Sequence, residues 1–461
     1  MRAHEAGALH ADIGHRGPGW LRSPADVNAL MPGLWPRTVT RADAGALTVG
    51  GLDVREIAAE YGTPAYVLDE ADLRERCRAF REGFAGADVY YAGKSFLCKA
   101  VVRIIAEEGL NLDVCTGGEL AVALAAGMPP ERIGLHGNNK SLSELRRALD
   151  AGVGRIVVDS FDEIERLTAL ATERGVRPKV MVRVTVGVEA HTHEFIATAH
   201  EDQKFGLSLY GGAADAAVKR ILDEGVLDLV GLHSHIGSQI FDISGFEVSA
   251  RRLLGLQARI RDEYGVELPE MDLGGGFGIR YTSQDDPATP AELGQALFGL
   301  MKHECSAFGL AVPALSIEPG RAIVGPAVFT LYEVGTVKDV DGIRTYVSVD
   351  GGMSDNIRTA LYDASYSATV AGRASDAEPV LARVVGKHCE SGDIVVKDEF
   401  LPADVQPGDL VAVPGTGAYC RSMASNYNHV PRPPVIAVAD GSARVIVRRE
   451  TEEDLLSLDV G

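Results

Sequence analysis

The sequence predicts an α/β + β chain: a (β/α)8 TIM barrel followed by a second, mostly β C-terminal domain. Three observations carry this. From about residue 88, short β-branched runs alternate with amphipathic segments whose apolar residues recur at i, i+3 and i+4. Eight such runs fall between residues 89 and 320, which suits eight βα units. An open doubly wound sheet is the main alternative, and it usually shows fewer units or an early nucleotide fingerprint. Beyond Gly320 the helical rhythm stops, and strand-like runs follow one another across Gly, Pro and Asp turns.

Taken in order, residues 1–60 are expected to form an N-terminal segment that packs with the β domain. The first 45 or so are rich in Gly, Pro and Ala, and LMPGLWP (30–36) is apolar enough to pack on a neighbouring surface. Residues 61–320 are assigned to the barrel. Its strands are read at VYYAGK, NLDVCT, RIGLHG, RIVVDS, VMVRVTV, LVGLHSHIG, EMDLGGG and ALSIEPG. Between them SLSELRRALDAG opens on Ser141 with Glu144 three residues on, a capping box, and stops at Gly152. DEIERLTALATERG and GFEVSARRLLGLQARIRDEYG follow the same grammar. Residues 321–461 form the β domain, with strands at VFTLYEVGTVKDV, RTYVSVDG, PVLARVVGK, DLVAVPG, VIAVAD and ARVIVRRE.

Composition narrows the function. The 461-residue chain carries 45 Lys plus Arg against 65 Asp plus Glu, a formal net charge of −20. Such a chain has no broad attraction for nucleic acid or an anionic membrane, though local basic pockets remain open to it. No apolar run reaches bilayer length and the N-terminus has no signal-like hydrophobic region, so a cytoplasmic protein is expected. Its six cysteines form no C-x-x-C pair and no zinc spacing, so they read as free thiols and no metal is expected.

In a barrel of this kind chemistry gathers at the C-terminal strand ends. Those ends hold Lys94, Asp113, His136, Asp159, Arg183, His235, the run Gly274-Gly275-Gly276, and Glu318 with Arg321. A lysine closing a strand can be an ordinary surface turn or a nucleophilic amine. The glycines, after the seventh strand, can be a tight turn or a backbone cradle for phosphate. His235 can be a core imidazole or a ring stacked on a flat cofactor, with Ser238 reaching its phosphate; His233 is expected on the opposite strand face. Glu318 can pair with Arg321 or face a pyridine nitrogen and keep it protonated, making the ring an electron sink. Amine, cradle, stacking ring and acid together specify pyridoxal phosphate better than any one of them.

YAGKSF, HSHIGSQ, DLGGGFG, EPGR, CESGD (Cys389–Asp393) and GAY (Gly417–Tyr419) resemble the motifs of the fold-type III pyridoxal-phosphate decarboxylases. LDVCTGGEL, HGNNKS and DGGMSDNIRTALYD look like the actinobacterial branch of the meso-diaminopimelate decarboxylases. The likeness runs from about residue 45 to residue 460 and departs at Ser95-Phe96, where many relatives carry Ala-Asn. It implies a barrel of the alanine-racemase type, pyridoxal 5'-phosphate as coenzyme, and conversion of meso-2,6-diaminopimelate to L-lysine and CO2. Carried over by motif, Lys94 would hold the coenzyme covalently, and Cys389 would be the proton donor. His235, Ser238, Gly275, Gly276, Glu318, Gly320, Arg321 and Tyr419 would bind the coenzyme. Arg321, Arg358, Tyr362, Glu390 and Tyr419 would bind substrate. In the family Cys389 and Glu390 serve the partner subunit's site, so a homodimer with shared active sites is implied. Burial is expected to lower the pKa of Lys94 so that its amine can attack an aldehyde. HTHEFIATAHEDQKFG (191–206) is expected to be a mobile active-site loop or a dimer contact. A racemase, an ornithine or arginine decarboxylase and a non-catalytic coenzyme carrier are the rival readings.

Overall fold

The computed structural model describes residues 17–187 and 203–461. Among the described residues the chain divides into two compact units: one falls within 74–278 and 287–322, the other within 17–73, 279–286 and 323–461.

In the first unit, among the described residues, eight parallel strands close into a barrel. They are Asp88–Ala92, Asn111–Val114, Ile133–Leu135, Arg155–Val158, Lys179–Thr185, Asp228–His233, Glu270–Asp272 and Ala314–Ile317. Pairing of the eighth with the first, Ile317 against Val89, and of the fourth with the fifth, Val157 against Met181, completes the ring. A two-residue strand, Leu207–Ser208, adds to the fifth.

The helices between them form where the sequence puts both caps and an apolar stripe. Leu142–Ala151 has the full Ser141–Glu144 capping box and a left-handed Gly152 at its end. Lys99–Glu107 buries Val101, Val102, Ile104 and Ile105 on one face; a fully buried aliphatic side chain contributes roughly 1.5–3 kcal/mol. Inside the barrel Val157, Met181 and Val230 pack together. Arg155 makes a buried ion pair with Asp272, donates to Ser316 Oγ at 2.9 Å, and covers the Tyr90 ring at 3.9 Å. That polar cluster joins the fourth, seventh, eighth and first strands, and the pairing of Arg155 with Asp272 is what lets its charge be buried there.

The second unit is built on a nine-stranded mixed sheet. Its main path runs Ile394–Pro402, Pro379–Val385, Arg344–Val349, Val328–Val340, Ala65–Asp69, Val435–Ala439 and Ser442–Val447, with Leu410–Pro414 and Thr369–Val370 branching from it. Leu47, Val49, Val54 and Ile57 share one core with Val67, Phe329, Leu331, Ala412, Ile436 and Val438. Trp35 of the LMPGLWP stretch meets Phe329 edge-on, with ring centroids 6.2 Å apart.

Candidate active site

The first barrel strand ends at Ala92 and turns into one tight turn, Gly93–Ser95. Glycine is required at 93, where a Cβ would come within 2.8 Å of Asp113 O. Ser95 is buried and donates to Ala92 O at 2.7 Å, which fixes the turn and accounts for serine at this position. Lys94 between them is exposed: the tight turn buries its neighbours and presents the amine. Its charge is felt at Asp113, Cys115, Glu119 and His235, which places it in the ring of strand-end groups.

Glu318 leaves the eighth strand into the centre of that ring, 5% exposed. Its carboxylate lies 3.0 Å from His136 Nε2 and 3.3 Å from His233 Nε2. Burial alone would raise its pKa, but the two imidazoles outweigh burial and hold it well below the usual carboxylate range. Asp113, 3.6 Å from His136, behaves oppositely: burial and the Glu318 charge push it up to about 6 against the pull of His136 and Lys94. Two carboxylates around one imidazole are thus driven apart, and Glu318 is the one that stays charged.

The expectation that His233 faces away from the site is corrected here. Residues two apart on a strand share a face, so His233, at the end of the sixth strand, faces the same side as a following His235. His233 is fully buried against Glu318, while His235 Nδ1 accepts the Gly275 N–H at 3.2 Å. That bond leaves the other ring nitrogen of His235 to carry the proton. Burial, then the charges of Lys94 and Arg183, push His235 well below the usual imidazole pKa, so it presents a neutral flat ring.

The glycine run has no room for side chains. A Cβ at Gly275 would stand 2.1 Å from Glu318 O, and one at Gly276, where φ is +106°, would stand 2.3 Å from Gly237 O. A Cβ at Gly320 would press on Ala92 Cβ and Ser95 Oγ, both at 2.9 Å. Beside these glycines Arg321, 6% exposed, donates from Nη2 to Ser238 Oγ at 2.9 Å. Bare backbone, a hydroxyl and a guanidinium make a cradle for a phosphate dianion. The lysine, the neutral imidazole, the buried charged acid and this cradle fit a phosphorylated pyridine aldehyde in every part.

The remaining predicted residues lie in the other unit. Arg358 and Tyr362 open and close one short helix, Arg358–Tyr362. Arg358 is 5% exposed and makes no ion pair among the described residues. Tyr419 is half-buried and sits at φ +61°, a left-handed conformation rare for an aromatic residue and found mostly where function demands it. Cys389 and Glu390 are exposed at the head of a turn. Asp393 grips that turn by accepting His388 N–H at 2.7 Å and Met353 N–H at 2.6 Å, and Asn428 Oδ1 accepts the Cys389 N–H at 3.1 Å. All six cysteines are free thiols. Residues 191–202 of the anticipated loop lie outside the described residues; Gly206, just beyond, donates its N–H to Asp159 Oδ1 at 2.9 Å.

Sequence reasoning had placed His136 and Asp113 at strand ends without a role, and had overlooked Tyr281 and Tyr366, which flank Arg358. Nothing local marked the two tyrosines, which reach Arg358 from separate stretches of chain.

A parallel barrel carrying this strand-end set defines the class: residues 70–325 match the family described as pyridoxal-dependent decarboxylase, pyridoxal binding domain. The chain is 60% identical over 440 residues to the diaminopimelate decarboxylase of Mycobacterium tuberculosis, covering 94% of this chain and 98% of that one. It is 56% identical over 471 residues to the Mycobacterium leprae diaminopimelate decarboxylase, covering 100% of both. The crystal structure of diaminopimelate decarboxylase from M. jannaschii in complex with L-lysine superposes with a TM-score of 0.86 at 32% identity, over 92% of this chain and 98% of that one. The chain belongs to the diaminopimelate decarboxylase family.

Proposed function

We propose that the chain converts meso-2,6-diaminopimelate to L-lysine and CO2 with pyridoxal 5'-phosphate, and that Lys94 and Cys389 are its catalytic residues. The observation that carries the substrate reading is Arg358: a buried guanidinium with no carboxylate partner among the described residues suits a ligand that brings its own carboxylate. An ornithine-type substrate has no second carboxylate to place there.

When bound, pyridoxal phosphate supplies an electron sink for the pair left as the carbon–carboxylate bond breaks. Lys94 would hold the coenzyme through Nζ. The Gly275, Gly276 and Gly320 backbone, Ser238 and Arg321 would hold its phosphate, and the neutral His235 ring would pack on it and exclude water. Glu318, kept ionised by His136 and His233, would favour a proton on the ring nitrogen. Arg321 and Tyr419 orient the reacting end of the substrate. Arg358 and Tyr362 receive the distal carboxylate, and Glu390 the distal ammonium. Cys389 Sγ delivers the proton that replaces CO2.

The exposure of Cys389 and Glu390 on a braced turn supports a homodimer in which this turn serves the partner's site. No described helix is long and apolar enough to cross a membrane. Six free thiols favour a reducing compartment, and we assign the enzyme to the cytoplasm. The test is incubation of the coenzyme-loaded protein with meso-diaminopimelate. L-lysine and CO2 in equal amounts are expected; conversion to the L,L or D,D stereoisomer without CO2 would make it a racemase instead.

A further inference from the structure

We propose that Tyr366 and Tyr281 are positioning residues that clamp Arg358, and that this neutral clamp sets the preference for ligands carrying a distal carboxylate. The inference rests on the assignment of Arg358 to that carboxylate.

Arg358 Nη1 donates to Tyr366 Oη at 2.5 Å. The guanidinium carbon lies 4.9 Å from the Tyr281 ring centre and 5.6 Å from that of Tyr366, and the two rings meet edge-on with centroids 5.1 Å apart. The Tyr366 hydroxyl is itself held, 3.6 Å from Cys420 Sγ, which contacts Asn356 Oδ1 at 3.5 Å; that same oxygen accepts the Arg358 backbone N–H at 3.3 Å. The contacts close a loop around the arginine.

Burying a guanidinium normally calls for a counter-ion. Here the charge is met by two ring faces and one hydroxyl, none of which is an anion. An acidic neighbour would fix Arg358 equally well, but it would compete with the incoming carboxylate. Arg358 Nε has no hydrogen-bond partner among the described residues, so donors of the fork remain for a ligand. The tyrosines therefore fix the direction of the fork without quenching its charge.

The test compares Tyr366→Phe, which keeps the ring and removes the hydroxyl, with Tyr281→Leu, which removes one ring face, in the coenzyme-loaded enzyme. Each is expected to raise KM for meso-diaminopimelate about fivefold to tenfold, the scale of one ordinary hydrogen bond, with kcat nearly unchanged. Inhibition by L-lysine, which keeps the distal carboxylate, should weaken by the same factor. Inhibition by 1,5-diaminopentane, which has none, should not change. Equal weakening with both inhibitors would mean general damage to the site and overturn the clamp, as would unchanged constants in both variants. Arg358→Ala separates the layers: if it leaves L-lysine inhibition intact, the assignment of Arg358 falls and the clamp with it. If it weakens that inhibition while neither tyrosine variant does, only the clamp falls.

Discussion

Glu318 and Cys389 show how differently single residues are made fit for proton chemistry. Glu318 is buried and would be neutral on that ground alone; two imidazoles at 3.0 and 3.3 Å reverse the outcome. Cys389 is exposed, and its turn is set by backbone donors to Asp393 and Asn428. The sulfur's role then depends on where that turn is presented, since the chain around it supplies rigidity more than chemistry. Cys389→Ala is expected to lower kcat by about 10²-fold to 10⁴-fold, the usual contribution of a placed general acid, while the coenzyme absorbance at saturation stays as in the parent. Full activity in that variant would hand proton delivery to another group. At this scale Lys94, His235, Glu318 and the glycines were legible because each ends a strand-like run or follows it at once. His233 was misread because residues two apart were taken to lie on opposite strand faces, whereas they share one.

Among the elements, the barrel strands were legible because strands buried on both faces read as continuous apolar runs, and the helices because their caps are written in Ser, Thr and Gly. The strand Ile394–Pro402 was missed. Its centre is Lys397, Asp398 and Glu399, which breaks any apolar pattern. In the sheet those charges are partnered: Asp398 pairs with Arg344, and Glu399 accepts N–H groups of Phe400 at 2.9 Å and Ala368 at 3.2 Å. Burial pushes Glu399 up to about 7, and Asp355, buried beneath Tyr332, is pushed up to about 7 as well. A carboxyl whose folded pKa is raised binds its proton more tightly when folded. Its contribution is complete below the ordinary carboxyl range and is lost as pH climbs through about 7. The urea midpoint of the coenzyme-loaded protein should therefore fall between about pH 4.5 and about pH 7 from these groups, and Glu399→Gln should make that fall shallower. A slope identical to the parent's would contradict the assignment of Glu399.

For the molecule as a whole, Lys94, His235, Glu318 and the phosphate cradle belong to one compact unit and the Cys389–Glu390 turn to the other. No sequence pattern fixes how such units from two chains combine, because that depends on surfaces rather than on periodicity. The shared-site homodimer makes a sharp prediction. Lys94→Ala and Cys389→Ala proteins, each inactive alone, should regain roughly a quarter of parental activity when their subunits are exchanged at equal amounts. Half the dimers are then hybrids, and one of the two sites in each hybrid is intact. No recovery after verified exchange would mean that each site is completed within one chain. The central claim, that Lys94 carries the coenzyme, is tested most directly by reducing the coenzyme-loaded protein with borohydride and mapping the modified peptide by mass spectrometry. The account predicts a stable coenzyme adduct on Lys94, absent in Lys94→Ala; an adduct on another lysine, or none, would contradict it.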